Sequence, residues 1–163
     1  MVSLKTPSEV ATMREAGRFV ARVLAAVAAE ARPGVRLIDL DALAADMIAE
    51  AGARSSFLGY RPTWAPTPYP GVLCLSLNDE IVHGIPDKRA LSDGDLLSID
   101  FGAYVDGYCG DSALTVAIGS VDEAGQRLSA ATSAALDAGI AAAQAGARIG
   151  DIAHAIETVA RHG

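Results

Sequence analysis

Residues 96–119 read L-L-S-I-D-F-G-A-Y-V-D-G-Y-C-G-D-S-A-L-T-V-A-I-G. Apolar and polar residues alternate on both sides of Asp106-Gly107, a dipeptide suited to a two-residue hairpin turn. With that turn, Val105 faces Tyr108, Asp100 faces Ala113 and Asp111 faces Gly102. Side chains alternate faces along a strand, so Asp100 and Asp111 share one face as diagonal neighbours, with Ser98, Cys109 and Thr115 beside them. Leu97, Ile99, Phe101, Leu114 and Val116 take the opposite face, which reads as core. Two carboxylates so placed are costly to ionise unless a cation or a proton lies between them. Two alternatives remain open on spacing alone. Charges on strands can serve only to discourage edge pairing, and a three-residue loop would flip the parity and part the two carboxylates.

Outward from the hairpin, the bulk numbers bound the rest. A chain of 163 residues, 51% hydrophobic, suits one domain with a real core. Its mean hydropathy is +0.28, and much of that comes from alanine, a helix former. The apolar run from Val20 to Ala29 is broken by Arg22 and is too short to span a membrane. A polar, helix-starting segment opens the chain where a signal peptide would be apolar, and a cytoplasmic protein is expected. Net charge is −7, which leaves no basic footprint for nucleic acid and suits solubility. Cys74 and Cys109 are too few for a disulfide framework.

Thr6-Pro7-Ser8-Glu9 predicts a capped helix start. The first helix should run from about Pro7 to Ala31, burying Val10, Met13, Ala16, Gly17, Val20, Val23, Leu24 and Val27. Arg32-Pro33-Gly34 stops it. A second helix is expected over about 38–51, with Leu40, Leu43, Ala44, Met47 and Ile48 inward. Four prolines between Arg61 and Gly71 exclude regular structure there. That loop is either a connector or a pocket wall carrying Trp64 and Tyr69. Val72–Leu77 and Glu80–His83 read as strand. Ser120-Val121-Asp122-Glu123 reads as a capping box opening a third helix to about Gln144, and a fourth follows over about 150–162. His154 and His162 fall in that last pattern and read as helix surface.

One repeat stands out. Residues 33–40, P-G-V-R-L-I-D-L, match residues 145–152, A-G-A-R-I-G-D-I, with Gly34, Arg36 and Asp39 recurring as Gly146, Arg148 and Asp151. Each copy joins a long helix to a shorter one. Strands follow the first pair of helices; none follows the second.

Three segments, N-D-E-I-V-H-G-I-P-D around His83, S-I-D-F-G around Asp100 and Y-C-G-D-S around Asp111, together resemble the type I methionine aminopeptidases. K-T-P-S-E-V-A-T-M-R-E-A-G near the start and F-L-G-Y at 57–60 extend the similarity over essentially the whole chain. The resemblance implies an α+β pita-bread fold, present here as its N-terminal part only: an antiparallel sheet covered by helices. Residues 1–163 are then one incomplete peptidase domain, since the family builds its site from two related halves. It implies two divalent metal ions (Co, Mn, Fe or Zn), with Asp100 chelating one and Asp111 bridging both. A histidine and two glutamates from the second half would complete the cage.

By the same resemblance His83 is a catalytic, substrate-contacting residue rather than a ligand; on its own it also reads as an ordinary satisfied strand histidine. Tyr60 and Cys74 match positions of an apolar pocket for an unbranched methionine side chain. Phe57 stands where cysteine is common, and Arg61 departs from the usual histidine. The implied activity is removal of the initiator methionine from nascent proteins, near the ribosome, by a monomeric enzyme. Residues 1–163 alone are expected to be inactive and to associate through uncovered apolar surface. The alternative is a non-catalytic pita-bread relative that binds peptides or a partner. A prolyl-specific aminopeptidase is disfavoured, because that group carries a large extra N-terminal domain.

Overall fold

The structure is a computed structural model that describes residues 3–162. Helix α1 (Pro7–Glu30) begins at Thr6, whose hydroxyl accepts from the Glu9 amide, while the Glu9 carboxylate accepts from the Thr6 amide at 2.7 Å. That is the predicted capping box, and it satisfies two donors a helix start otherwise orphans. Ala16, Phe19, Val20, Val23, Leu24 and Val27 form its buried stripe. Val10 and Met13, expected inside, are 43% and 38% exposed, and Gly17 is exposed as well. The buried stripe begins at Ala16 and takes in Phe19 in place of those residues. The Phe19 ring meets Phe101 edge to face, 6.1 Å between centroids.

Helix α2 (Leu37–Glu50) buries Leu37, Leu40, Ala44 and Ile48, with Leu43 and Met47 partly covered. Its exposed first amides are met by backbone, Leu37 donating to the Arg89 carbonyl and Ile38 to Asp87.

The sheet is centred on β3 (Leu96–Val105). One edge of β3 pairs along its whole length with β4 (Tyr108–Ala117). The other edge is shared: β2 (Leu73–Leu77) covers positions 97–101, and β1 (Arg54–Ser55) covers 103–104. All pairs are antiparallel. Asp106 and Gly107 both take left-handed backbone, φ 49° and 83°, which a two-residue hairpin requires. The register is the expected one: Asp100 opposite Ala113, Asp111 opposite Gly102. Leu97, Ile99 and Phe101 are fully buried, and Leu114 and Val116 pack partly against the same core. Each fully buried side chain of this kind contributes about 1.5–3 kcal/mol. Gly110 lets β4 approach α1, since a β-carbon there would lie 2.9 Å from the Ala16 carbonyl.

Strand β1 is too short for any period to announce it. Two expectations are corrected. Glu80–His83 is irregular, not strand. The chain turns at Asn78, φ 56°, and reaches His83 at φ 60°, leaving Ile81 and Val82 90% and 64% exposed. The third helix is capped by Asp122, whose carboxylate accepts from the Gly125 amide at 2.8 Å. Ser120 instead donates its amide to Asp93. A carboxylate placed nearer the helix competes successfully for the cap.

The described residues divide into two compact units, with the break after Ser120. The second holds α3 (Glu123–Ala142) and α4 (Ile149–Ala160), packed on each other. Gly139 faces Ile156 and Ile152 there, and a β-carbon on it would lie 2.8 Å from Ile156. The repeated octapeptide is also a structural repeat. Gly34 and Gly146 sit at φ 89° and 91°. Asp39 and Asp151 donate their amides to the Arg36 and Arg148 carbonyls, each at 3.0 Å.

Candidate functional site

The functional face of the sheet is the one turned away from the buried core. Ser98 and Thr115 hydroxyls meet on it at 2.9 Å, which fixes the facing of every second residue. Asp100 stands on that face between Ala113 on β4 and Cys74 on β2. Asp111 stands one step along, opposite Gly102. Burial, then the Asp111 charge, hold the Asp100 carboxyl above its ordinary range; the His83 side chain and the Phe101 backbone work against that rise. Asp111, the more exposed of the two, is also raised, by burial. Neither carboxylate has a salt-bridge partner among the described residues.

Gly102 makes this crowding possible. It lies in the gap between β2 and β1, where Ser56 donates its amide to the Gly102 carbonyl at 3.0 Å. A β-carbon on Gly102 would collide with the Ser56 hydroxyl, lie 2.5 Å from Asp111 Oδ2 and 3.2 Å from Phe57 Cε1. The missing side chain is therefore the space in which Asp111, Ser56 and Phe57 converge. The Ser56 hydroxyl is buried without a hydrogen-bond partner among the described residues.

Cys74 is buried beside Asp100. Burial, helped by the charges of Asp100, Asp111 and Asp41, raises its thiol pKa, against an opposing Tyr69 contribution. The group is thus a neutral apolar wall rather than a nucleophile. Asp41, on α2, anchors this wall: its Oδ1 accepts from the Val72 and Leu73 amides at 2.8 and 2.9 Å. The Tyr69 hydroxyl lies 3.0 Å from the Leu73 carbonyl and 2.9 Å from that of Gly84. Burial first, then Cys74, push its pKa well up, so it acts as a donor. Backbone bonds between Gly59, Tyr60 and Tyr69 close the base of the proline-rich loop. That loop is irregular, as its prolines require, and exposes Trp64 and Tyr60. Arg61 turns back to the Ala65 carbonyl.

Asp100, Asp111 and Cys74 thus share one face of the sheet, Phe57 joins Asp111 over Gly102 and His83 acts on the Asp100 carboxyl, whereas Tyr60, Arg61 and Trp64 stay on their exposed loop and His154 and His162 are exposed on and just after α4. Ser56, Gly102 and Asp41 were not foreseen. A signal existed for two of them: Gly102 interrupts a strand pattern, a mark of close approach, and Asp41 places a carboxylate on the apolar stripe of α2. Nothing local marks Ser56.

The arrangement offers hard oxygen donors whose mutual repulsion a divalent cation would relieve. The chemistry of the pair fits a metal, though no group of three or more His, Cys, Asp or Glu side chains comes together among the described residues.

Comparison with known proteins agrees with this geometry. The profile of metallopeptidase family M24 matches residues 11–163. A methionine aminopeptidase of Aquifex aeolicus is 43% identical over 164 residues, covering 99% of this chain and 64% of its own length. Methionine aminopeptidase 1 of Mycobacterium tuberculosis is 45% identical over 162 residues, 99% of this chain and 59% of its own. The crystal structure of the Thermotoga maritima methionine aminopeptidase superposes with a TM-score of 0.92 at 34% identity, covering 99% of this chain and 63% of that one. The chain therefore spans about three fifths of the length of the relatives it matches.

Proposed function

The chain belongs to metallopeptidase family M24, and on that premise we propose that it forms part of a methionyl aminopeptidase with the pita-bread fold. The substrate is the free N-terminus of a nascent protein in the cytoplasm, close to the ribosome, and the product is free methionine. The observation that carries this is the convergence of Asp100 and Asp111 on one face over Gly102, with His83 within electrostatic reach of Asp100. Residues 1–163 contribute to one catalytic domain, and the complete enzyme is a monomer. Among the described residues, no helix is long and apolar enough to cross a membrane.

In this reading Asp100 would hold one of two divalent ions, Mn, Co, Fe or Zn, and Asp111 would be a ligand shared by both. Such a pair supplies Lewis-acid polarisation of the scissile carbonyl and a nucleophile from water at neutral pH. The chain's own residues do the rest. The His83 imidazole hydrogen-bonds the scissile amide and steadies the charge that develops there. Cys74, kept protonated, and Tyr60 offer apolar contact to an unbranched side chain, and Phe57 narrows that space. Two carboxylates leave most coordination positions to water, so residues 1–163 by themselves hold metal weakly and are inactive.

The deciding experiment is release of methionine from a Met-Ala-type peptide by the gene product carrying these residues, with each candidate metal added. Turnover that depends on metal supports the reading. Peptide binding without hydrolysis under every metal replaces it with the peptide-binding alternative.

A further inference from the structure

His83 stands outside regular structure, on left-handed backbone. Few non-glycine residues adopt that conformation, histidine more readily than most, and here the neighbouring contacts hold it. They are visible one residue on. The Gly84 amide donates to Ser76 Oγ at 3.1 Å. The Gly84 carbonyl accepts from the Leu75 amide at 2.8 Å and from the Tyr69 hydroxyl at 2.9 Å. A β-carbon at Gly84 would collide with the Leu75 carbonyl, so the chain is pressed directly against β2. Leu75 is fully buried and Ser76 is 4% exposed. On β2, Ser76 shares its face with Cys74, the residue opposite Asp100. Its cross-strand neighbour Ser98 is engaged with Thr115, leaving the Ser76 hydroxyl to the loop. Between Asn78 and His83, by contrast, Ile81 and Val82 lie open to solvent.

We propose that Ser76 is a positioning residue for His83: by accepting the Gly84 amide from within the sheet, it sets the backbone from which the imidazole projects. This rests on the reading of His83 as the substrate-contacting group. Leu75 and Tyr69 secure the Gly84 carbonyl, which lies in the peptide plane that follows Gly84. The Ser76 contact fixes the plane before it, the one that joins His83 to Gly84. An apolar residue at 76 would fill the space and leave a buried N–H unpaired, which the loop relieves by moving.

Residue-resolved hydrogen exchange on the gene product carrying these residues tests this without reference to activity. The Gly84 amide should exchange on the order of 10-fold more slowly than those of Val82 and His83, after correction for intrinsic rates. Ser76→Ala should abolish that protection and shift the His83 ring resonances, with β3 amides unchanged; Ser76→Thr should restore both. Equal exchange of the three amides in the unaltered protein overturns the proposal, even if Ser76→Ala fails to fold. So does unchanged Gly84 protection in Ser76→Ala. In turnover, Ser76→Ala should lower kcat for the methionyl peptide about 10-fold with KM unchanged, and Ser76→Thr should recover it. Lost protection with unchanged kcat would show that the contact is merely structural. If His83→Ala leaves turnover intact, the role given to His83 fails instead, and the exchange and ring-resonance data still decide whether Ser76 sets its place.

Discussion

The Asp111 carboxylate lies over the α-carbon of Gly102, so close that a β-carbon built there would sit 2.5 Å from Asp111 Oδ2. Gly102 has ordinary strand backbone, outside the positive-φ set, so its value lies in the space it leaves rather than in its conformational freedom.

Gly102→Ala is expected to disturb the site more than the fold. The atoms it strikes are the far ends of Asp111 and Ser56, which can swing aside. Metal affinity should fall about 10–100-fold, the range for displaced supporting groups at metal sites, while Tm changes little. Calorimetric metal titration beside a melting curve checks this. Unaltered affinity would remove Gly102 from the site.

Asp100→Asn and Asp111→Asn should each abolish two-ion occupancy. They should also leave the metal-free protein as stable or more stable at neutral pH. Both carboxyls are raised above their ordinary range, so their charged forms oppose folding above that range. The opposition fades as pH falls through the folded pKa, and the advantage of the asparagine variants should shrink there too. Melting curves across pH 3–7 with chelator read the sign. A clear loss of stability at pH 7 would mean the carboxylates are paired in a way the geometry does not show.

His83→Ala should lower turnover of a Met-Ala-type peptide by roughly 10²–10⁴, the range for a positioned acid, base or hydrogen-bond donor. Metal content should stay near that of the unaltered protein. Loss of metal in step with activity would make His83 a ligand.

Glu9 ties the start of α1 to the tip of the hairpin: Oε2 accepts from the Thr6 amide, and Oε1 accepts from the Tyr108 hydroxyl at 2.9 Å. Those bonds hold its carboxyl down at about 2, Thr6 contributing most. A depressed carboxyl stabilises the fold above its unfolded value and loses that contribution as pH falls toward the folded one. Glu9→Ala should therefore melt earlier than the unaltered protein at pH 7. The gap should narrow below about 4.5 and close near 2. A gap that stays constant down to pH 2 would assign the effect to helix propensity instead.

The hairpin and the helix starts were legible in the chain because local chemistry decides them. Asp106-Gly107 tolerates two consecutive left-handed residues, and once that turn is set the strand period places Asp100 and Asp111 on one face without help from elsewhere. Thr6 and Glu9 close a capping box across three residues, and Gly34 and Gly146 end what precedes each repeated helix start. The positions that only tertiary structure decided depend on what lies opposite them. Val10 and Met13 keep the helical spacing of a buried stripe, yet both stay partly exposed, while Phe19 finds Phe101. Glu80–His83 has strand composition, but Gly84 is drawn onto β2 by Ser76, Leu75 and Tyr69, and the intervening residues must bulge. Ser120 and Asp122 could each cap α3; Asp93, distant in sequence, engages the Ser120 amide. Ser56 and Asp111 converge over Gly102 only because β1 and β2 leave a gap along β3 there. Side-chain period and turn type are properties of neighbouring residues, whereas burial and the space above a glycine are properties of segments the chain brings together only on folding.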